Sequence, residues 1–285
     1  MPSATIRLFL QLGDAKSLRT AEISNWSGKA IAAPRTELDK LLAREELAQA
    51  GIYVLVGADP NTGAPLAYIG EAEILRDRIK QHRAKEFWVS AFIFVSKDEN
   101  LTKSHIRYLE GRLIEGALKV GRYKLDNAQS SGAKLPESDR EDMEVFLEKV
   151  QQLLPVLGSE LITPVTSKHT STPSSSDLFC KIKGLTARGQ RTANGFAVFK
   201  GSQAVLQHRP EAPKYAKWVL ALRSKLIEEG ALLPKHDALI FTKDVEFSSP
   251  SAAAGVVRGG TAAGPINWKT QDGKTLKALE EATTE

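Results

Sequence analysis

The sequence predicts an α+β protein with two domains, and three observations carry that prediction. Short runs of β-forming residues bounded by turn residues recur along the chain, as at 51–57 and 65–70. Longer stretches with apolar residues at helical spacing follow them, as at 103–119. A run of almost pure Ser, Thr and Pro over 163–177 then separates a first block from a second. The length of 285 residues suits two cores.

In chain order, the Ile- and Leu-rich alternation at 5–12 predicts a strand closed by Gly13-Asp14. Leu38, Leu41, Leu42 and Leu47 form a helical stripe that ends near Gly51, with Thr36 as its expected N-cap. The turn Asp59-Pro60-Asn61-Thr62-Gly63 joins the two strand runs into a β-hairpin. Helix is expected over 72–83, strand over 87–95, and helix over 103–119 behind a Thr102 cap. A further helix over 138–154 has Ser138 and Glu141 in capping-box spacing and a stop at Pro155 and Gly158. In the second block, strands are expected at 179–182, 195–200 and 238–241, and a helix at 214–229 before Gly230.

Composition bounds the function. Hydrophobic residues at 42% and charged residues at 26% exclude wholesale disorder. The excess of 39 Lys+Arg over 34 Asp+Glu, a net charge of +5 and a pI near 9.1, permits an anionic partner without requiring one. No uninterrupted apolar run reaches membrane-spanning length, and the apolar start is too short before Asp14 to act as a secretory signal, so no membrane partner and a cytoplasmic location are expected. Cys180 stands alone, which excludes an internal disulfide and a multi-cysteine zinc site.

Two helices carry residues out of place. At 100° per residue, Ile74, Leu75 and Ile79 define an apolar arc on the 72–83 helix, and Arg78 and His82 fall inside it. Either Arg78 snorkels past the stripe beside a satisfied core histidine, or both line a cleft. On the 103–119 helix, Glu110 lies near the centre of the stripe of Ile106, Leu109, Leu113 and Ala117. A carboxylate there needs Arg78, His82 or a metal ion as partner. The hairpin adds Tyr53 and Tyr68, each next to Ile and Gly, as core residues or as phenols gathered at one end of the sheet.

Gly51-Ile52-Tyr53, Tyr68-Ile69-Gly70, then Leu75, Arg78, His82, Glu110 and Asn127 in that order resemble the GIY-YIG nuclease domain. The resemblance covers a quarter to a third of the chain, and it implies a metal-dependent endonuclease that hydrolyses phosphodiester bonds in DNA. It implies that Arg78 holds the scissile phosphate, that Glu110 binds one Mg²⁺ (or Mn²⁺), and that Tyr53 is the general base or positions the water, with a lowered pKa. Tyr68 and His82 assist, and Asn127 supports the site or contacts nucleic acid. Where a hydroxyl residue is common two positions after the second motif, this chain has Ala72, preceded by Glu71.

The segment before the hairpin resembles that of longer bacterial members, and there Trp26 beside Lys29 either stacks on a base or fills the core. The block after the linker resembles a domain of uncharacterised function found behind such nucleases, carried by Asn194-Gly195-Phe196, Lys200-Gly201-Ser202, the stretch 247–254 and Asn267-Trp268-Lys269. Its Ser-Pro-Ser start reads as a capped helix or a phosphate site, and Lys200, Lys243, Arg258, Lys269 and Lys274 as a basic surface or a solvated face. The expected organisation is an extension over 1–48, a nuclease domain over 49–160, a linker over 161–177 and an α+β domain over 178–285 that binds the target or a protein partner. A homodimer on the target is expected. The alternative is a nucleic-acid-binding or defence-system subunit that is inactive without a partner.

Overall fold

The computed structural model describes residues 3–127, 132–164 and 177–282, and the chain divides into two compact α+β units, Met1–Thr163 and Pro164–Glu285. The Ser/Thr/Pro run at 165–176 lies outside the described residues. Among those described, no helix is long and apolar enough to cross a membrane.

The first unit runs β1 (Ile6–Leu10), β2 (Arg19–Ile23), β3 (Gly28–Pro34), α1 (Leu38–Leu42), β4 (Gly51–Ala58), β5 (Pro65–Ala72), α2 (Leu75–Gln81), β6 (Trp88–Ser96), α3 (Lys103–Val120), β7 (Lys124–Leu125) and α4 (Glu137–Val156). Its strands form one seven-stranded sheet in the order β1-β2-β3-β6-β4-β5-β7. Every pairing is antiparallel except β5 with β7. The segment ahead of the hairpin is therefore part of the same sheet, joined through β3 and β6.

Both faces of the central strands of this sheet are buried, and their strict period of two explains how. On β4, Ile52, Val54 and Val56 enter the core under α3 and α4, while Tyr53 and Leu55 enter a second core under α1 and α2. On β6, Phe92 and Phe94 go to the first core, and Ala91, Ile93 and Val95 to the second. Successive strand residues point to opposite faces, so a continuous apolar run is what a doubly covered strand requires. Each large side chain buried here contributes about 1.5–3 kcal/mol.

Several sequence expectations change in this unit. The 36–48 segment is not one helix: tight turns at Arg35–Glu37 and Glu45–Ala48 flank the single turn of α1, and Thr36 caps nothing. Glu37 is held there instead by the Ser17 hydroxyl and the Leu18 N–H, both at 2.7 Å. Ile74 is the N-cap residue of α2 and half exposed, not part of its apolar face. The Thr102 cap forms as a capping box, with His105 as its second member. In α4 the Ser138–Glu141 box does not form: the helix begins at Glu137 behind Pro136, so Ser138 is already inside it. Pro155 lies in the last turn and, lacking an N–H, cannot donate to the Gln151 carbonyl four residues back.

The second unit runs β8 (Leu178–Ile182), β9 (Leu185–Thr192), β10 (Gly195–Val198), β11 (Gln203–Val205), α5 (Ala212–Tyr215), α6 (Lys217–Glu228), β12 (Leu232–Lys235), β13 (Ala238–Phe241), β14 (Val245–Phe247), α7 (Pro250–Arg258), α8 (Gly264–Asn267) and α9 (Leu276–Ala282). It has a four-stranded sheet, β14-β10-β9-β8, and a three-stranded one, β11-β13-β12. The helix expected at 214–229 is broken at Ala216, whose backbone (φ −136°, ψ 37°) leaves the helical region. The Ser-Pro-Ser start of α7 is a formed cap: Ser249 Oγ accepts from Ala252 N–H, and its carbonyl accepts from Ala253 N–H.

Candidate active site

The two hairpin motifs place one ring against one glycine. Tyr53 on β4 is directly opposite Gly70 on β5, and a Cβ added at Gly70 would lie 2.4 Å from the Tyr53 Cζ and hydroxyl. Any larger residue at Gly70 would therefore push the phenol out of its seat. Tyr68 is the diagonal neighbour on the same face, and the two rings stack at 6.0 Å with 19° between planes.

His82 closes the cluster. It follows α2 in a tight turn, His82–Ala84, and its ring lies 4.6 Å from Tyr68 and 5.4 Å from Tyr53. The Tyr53 hydroxyl and His82 Nε2 are 2.7 Å apart. The turn is fixed from behind, because Trp88 Nε1 donates to the His82 carbonyl at 2.9 Å and Arg35 donates to the Arg83 and Lys85 carbonyls while stacking on Trp88. Tyr53 and His82 are buried. Burial, then the fields of Arg78 and Lys85, push the His82 pKa down to about 4, so the ring is neutral at pH 7.

Tyr53 differs, in the metal-free site, from the expectation of a phenol whose pKa Arg78 and a metal ion lower. The resemblance implies a phenol with a lowered pKa, whereas burial, reinforced by Tyr68, pushes it above the ordinary tyrosine value. Arg78 opposes this without reversing it. With no metal ion at Glu110 the phenol is protonated and is a hydrogen-bond partner of His82.

Arg78 is a correction at the site. It is exposed, not turned into the core, and its guanidinium donates to the Tyr68 hydroxyl at 3.2 Å and to Gln81 Oε1 at 3.1 Å. The arc that held it at the sequence level included Ile74, which is outside the helix face. Arg78 thus caps the phenol cluster from the solvent side, with Lys85 beside it over the Tyr68 ring at 4.6 Å. Lys85 in turn pairs with Asp126.

Glu110 on α3 is half-buried beside Leu109 and Leu113, which are fully buried. Among the described residues it makes no hydrogen bond and no ion pair, so the salt bridge to Arg78 does not form. Burial and the charge of Glu71 raise its pKa, against partial relief from Arg107, Arg78 and Lys103. Glu71 itself pairs with Lys103 at 3.0 Å. A half-buried carboxylate left charged and uncompensated is costly. It fits a Mg²⁺-like ion that takes one protein oxygen and keeps several waters, while no group of three His, Cys, Asp or Glu ligands is present among the described residues.

The Asn127 side chain is engaged at both ends with backbone. Its side-chain oxygen accepts from Ile69 N–H at 3.1 Å and its amide donates to the Ile69 carbonyl, which ties the residue to β5 between Tyr68 and Gly70. Trp26 and Lys29 lie apart from the cluster. Trp26 packs on Phe146 at 4.9 Å in the core on the opposite face of the sheet, and Lys29 pairs with Glu46 at 2.8 Å and Glu22 at 3.9 Å. Trp26 is partly buried against that core, and Lys29 is held by its two ion pairs.

Sequence reasoning missed Lys85, Gly70 as the seat of Tyr53, and Arg35 as the anchor of the His82 turn. Lys85 sits in a loop, where no periodicity marks it. Gly70 was visible only as a motif letter, since its role depends on strand register.

Comparison with known families places the second unit. Residues 178–280 match the family described as "Domain of unknown function (DUF4357)", in agreement with the resemblance drawn for this block. No match to the chain was found among curated proteins or solved structures. The described geometry therefore carries the functional argument for the first unit, and the second unit is similar to a family whose function is unassigned.

Proposed function

We propose that the first unit is a GIY-YIG-type, metal-dependent endonuclease that hydrolyses phosphodiester bonds in DNA. The observation that carries this reading is the convergence of Tyr53, Tyr68, His82 and Arg78 on one end of the hairpin, with an unpaired Glu110 within their electrostatic reach. A structural polar cluster satisfies its members. Here the cation faces solvent, and the carboxylate has nearby positive charge but no direct ion pair among the described residues.

Arg78 is the phosphate-binding group. A phosphate oxygen is a better acceptor for its guanidinium than a neutral phenol, so substrate entry draws Arg78 off Tyr68 and uncovers the Tyr53 hydroxyl. Attack by water forms one P–O bond and breaks another. The water proton passes to the Tyr53 oxygen as the Tyr53 proton passes to His82 Nε2, which is neutral at pH 7 and already 2.7 Å away. Arg78 and Lys85 stabilise the charge that builds on the phosphoryl oxygens. Glu110 would hold a Mg²⁺ or Mn²⁺ ion, which supplies Lewis-acid stabilisation of the departing oxygen. Asn127 holds β5, and with it Tyr68 and Gly70, in register.

Incubation of supercoiled plasmid with the wild type and with Glu110→Ala, in Mg²⁺, Mn²⁺ or EDTA, tests this. Metal-dependent nicking or linearisation that is lost in Glu110→Ala is the expected result. An intact plasmid with a shifted mobility on a native gel would favour a nucleic-acid-binding protein.

A further inference from the structure

The second unit leaves two large aromatic side chains in solvent on one short segment. Tyr215 is 65% exposed and Trp218 is 51% exposed, whereas Trp268, the other tryptophan of this unit, is fully buried. The core does not need them, because Ala212, Ala216, Val219 and Leu226 already turn inward from α5 and α6. Exposed aromatics of this size cost solvation and mark a contact surface more often than scattered small apolar residues do.

The surrounding charge is mostly positive. Arg209, Lys214 and Lys217 are exposed and make no ion pair among the described residues. The Lys214 ammonium lies 5.0 Å over the Tyr215 ring, and Arg209 reaches the Thr261 carbonyl at 3.3 Å across a cleft of about 340 Å³ that Tyr215 also lines. Glu211 is the carboxylate at this cleft.

We propose that this patch is a docking surface for single-stranded DNA. Unpaired bases stack on Trp218 and Tyr215, and the backbone phosphates run along Arg209, Lys214 and Lys217. Aromatic faces beside cations grip a strand whose bases are free, whatever their sequence, because every base presents a π-face. In a duplex those faces are already stacked, so the aromatics would gain nothing from it. The choice of DNA rests on the endonuclease reading of the first unit, and the stacking surface itself does not.

The full chain, in EDTA so that no strand is cut, is titrated with a labelled oligo(dT) 12-mer at low salt. Affinity is read by anisotropy and site occupancy by tryptophan quenching. Binding is expected to quench fluorescence, and Trp218→Leu abolishes most of the quench and weakens affinity about tenfold, as does Tyr215→Ala. Trp218→Phe keeps a stacking ring and restores most of the affinity, which separates stacking from folding. Lys214→Gln with Lys217→Gln flattens the dependence of log K on log salt by about 1.4, or ~0.7 for each phosphate no longer neutralised. Tighter binding of a 12-base-pair duplex or of the matching RNA would overturn the proposal. So would an affinity unchanged in Trp218→Leu, or no binding at all, in which case a protein occupant takes its place. Cleavage is not read here, so failure of the nuclease reading with this binding intact, or the reverse, is distinguishable.

Discussion

Each unit carries an arginine on a helix that packs against its core, and the two are used in opposite ways. Arg223 in α6 is buried, and its guanidinium donates to three backbone carbonyls, those of Val256, Val205 and Leu206. Burial alone lowers its pKa, with no carboxylate to answer it. It is a staple between α6, α7 and the end of β11. Arg78 in α2 reaches out of its helix to cover two phenols and keeps donor capacity towards solvent, while Glu110 lies near it unpaired. The difference teaches that burial of a charge does not by itself mark a site. What marks it is capacity left unsatisfied at the surface of an otherwise satisfied core.

The largest expected effect follows from that contrast. Arg78→Ala should lower plasmid cleavage by on the order of 10²–10³-fold with little change in thermal stability, because its partners remain solvated. Arg223→Met should behave inversely. It strands three buried carbonyls and costs about 2–4 kcal/mol in urea unfolding of the second unit, and the metal-dependent cleavage of DNA by the folded protein should persist. If both substitutions changed stability alone, the contrast would fail.

The pH dependence sharpens it. His82 is neutral in the folded protein down to about pH 4, while an unfolded histidine takes its proton near pH 6.5. A depressed folded pKa on a base means that the unfolded state binds more protons between those values. Stability is therefore lost as pH falls from 6.5 towards 4, by on the order of 3 kcal/mol. Comparing chemical denaturation of the wild type with that of His82→Gln across this window isolates the contribution, and equal slopes would contradict a buried neutral ring. Smaller again, Gly70→Ala should cost about 1–3 kcal/mol by overpacking against Tyr53, and it should lower cleavage with it. A Gly70→Ala variant of native stability would mean that the phenol has room to move.

The elements were legible where pattern and local chemistry agree. The hairpin, β6 and α3 follow from their apolar patterns and the Thr102 cap, and the helix breaks at Ala43–Arg44 and at Ala216 escaped because good helix formers occupy them. The site was legible as a set of residues and less so as a geometry. Projection onto an ideal helix turned Arg78 inward, since it counted Ile74 as helical when that residue is the cap. The elevated Tyr53 pKa depends on the depth of β4 between two cores, which one strand's sequence does not state. Trp26 and Lys29, adjacent in the sequence turn, separate to a core contact and an ion pair because that turn leads into a strand of the same sheet.

Glu110→Gln tests the central claim most directly, with cleavage of supercoiled plasmid in Mg²⁺ and thermal melting measured on the same sample. Replacing a half-buried, unpaired carboxylate by its neutral isostere should remove cleavage while holding or raising the melting temperature, since the charge is retained for the reaction at the expense of the fold. Full cleavage by Glu110→Gln, or a lowered melting temperature with cleavage intact, would show that the carboxylate serves the scaffold and would contradict the account.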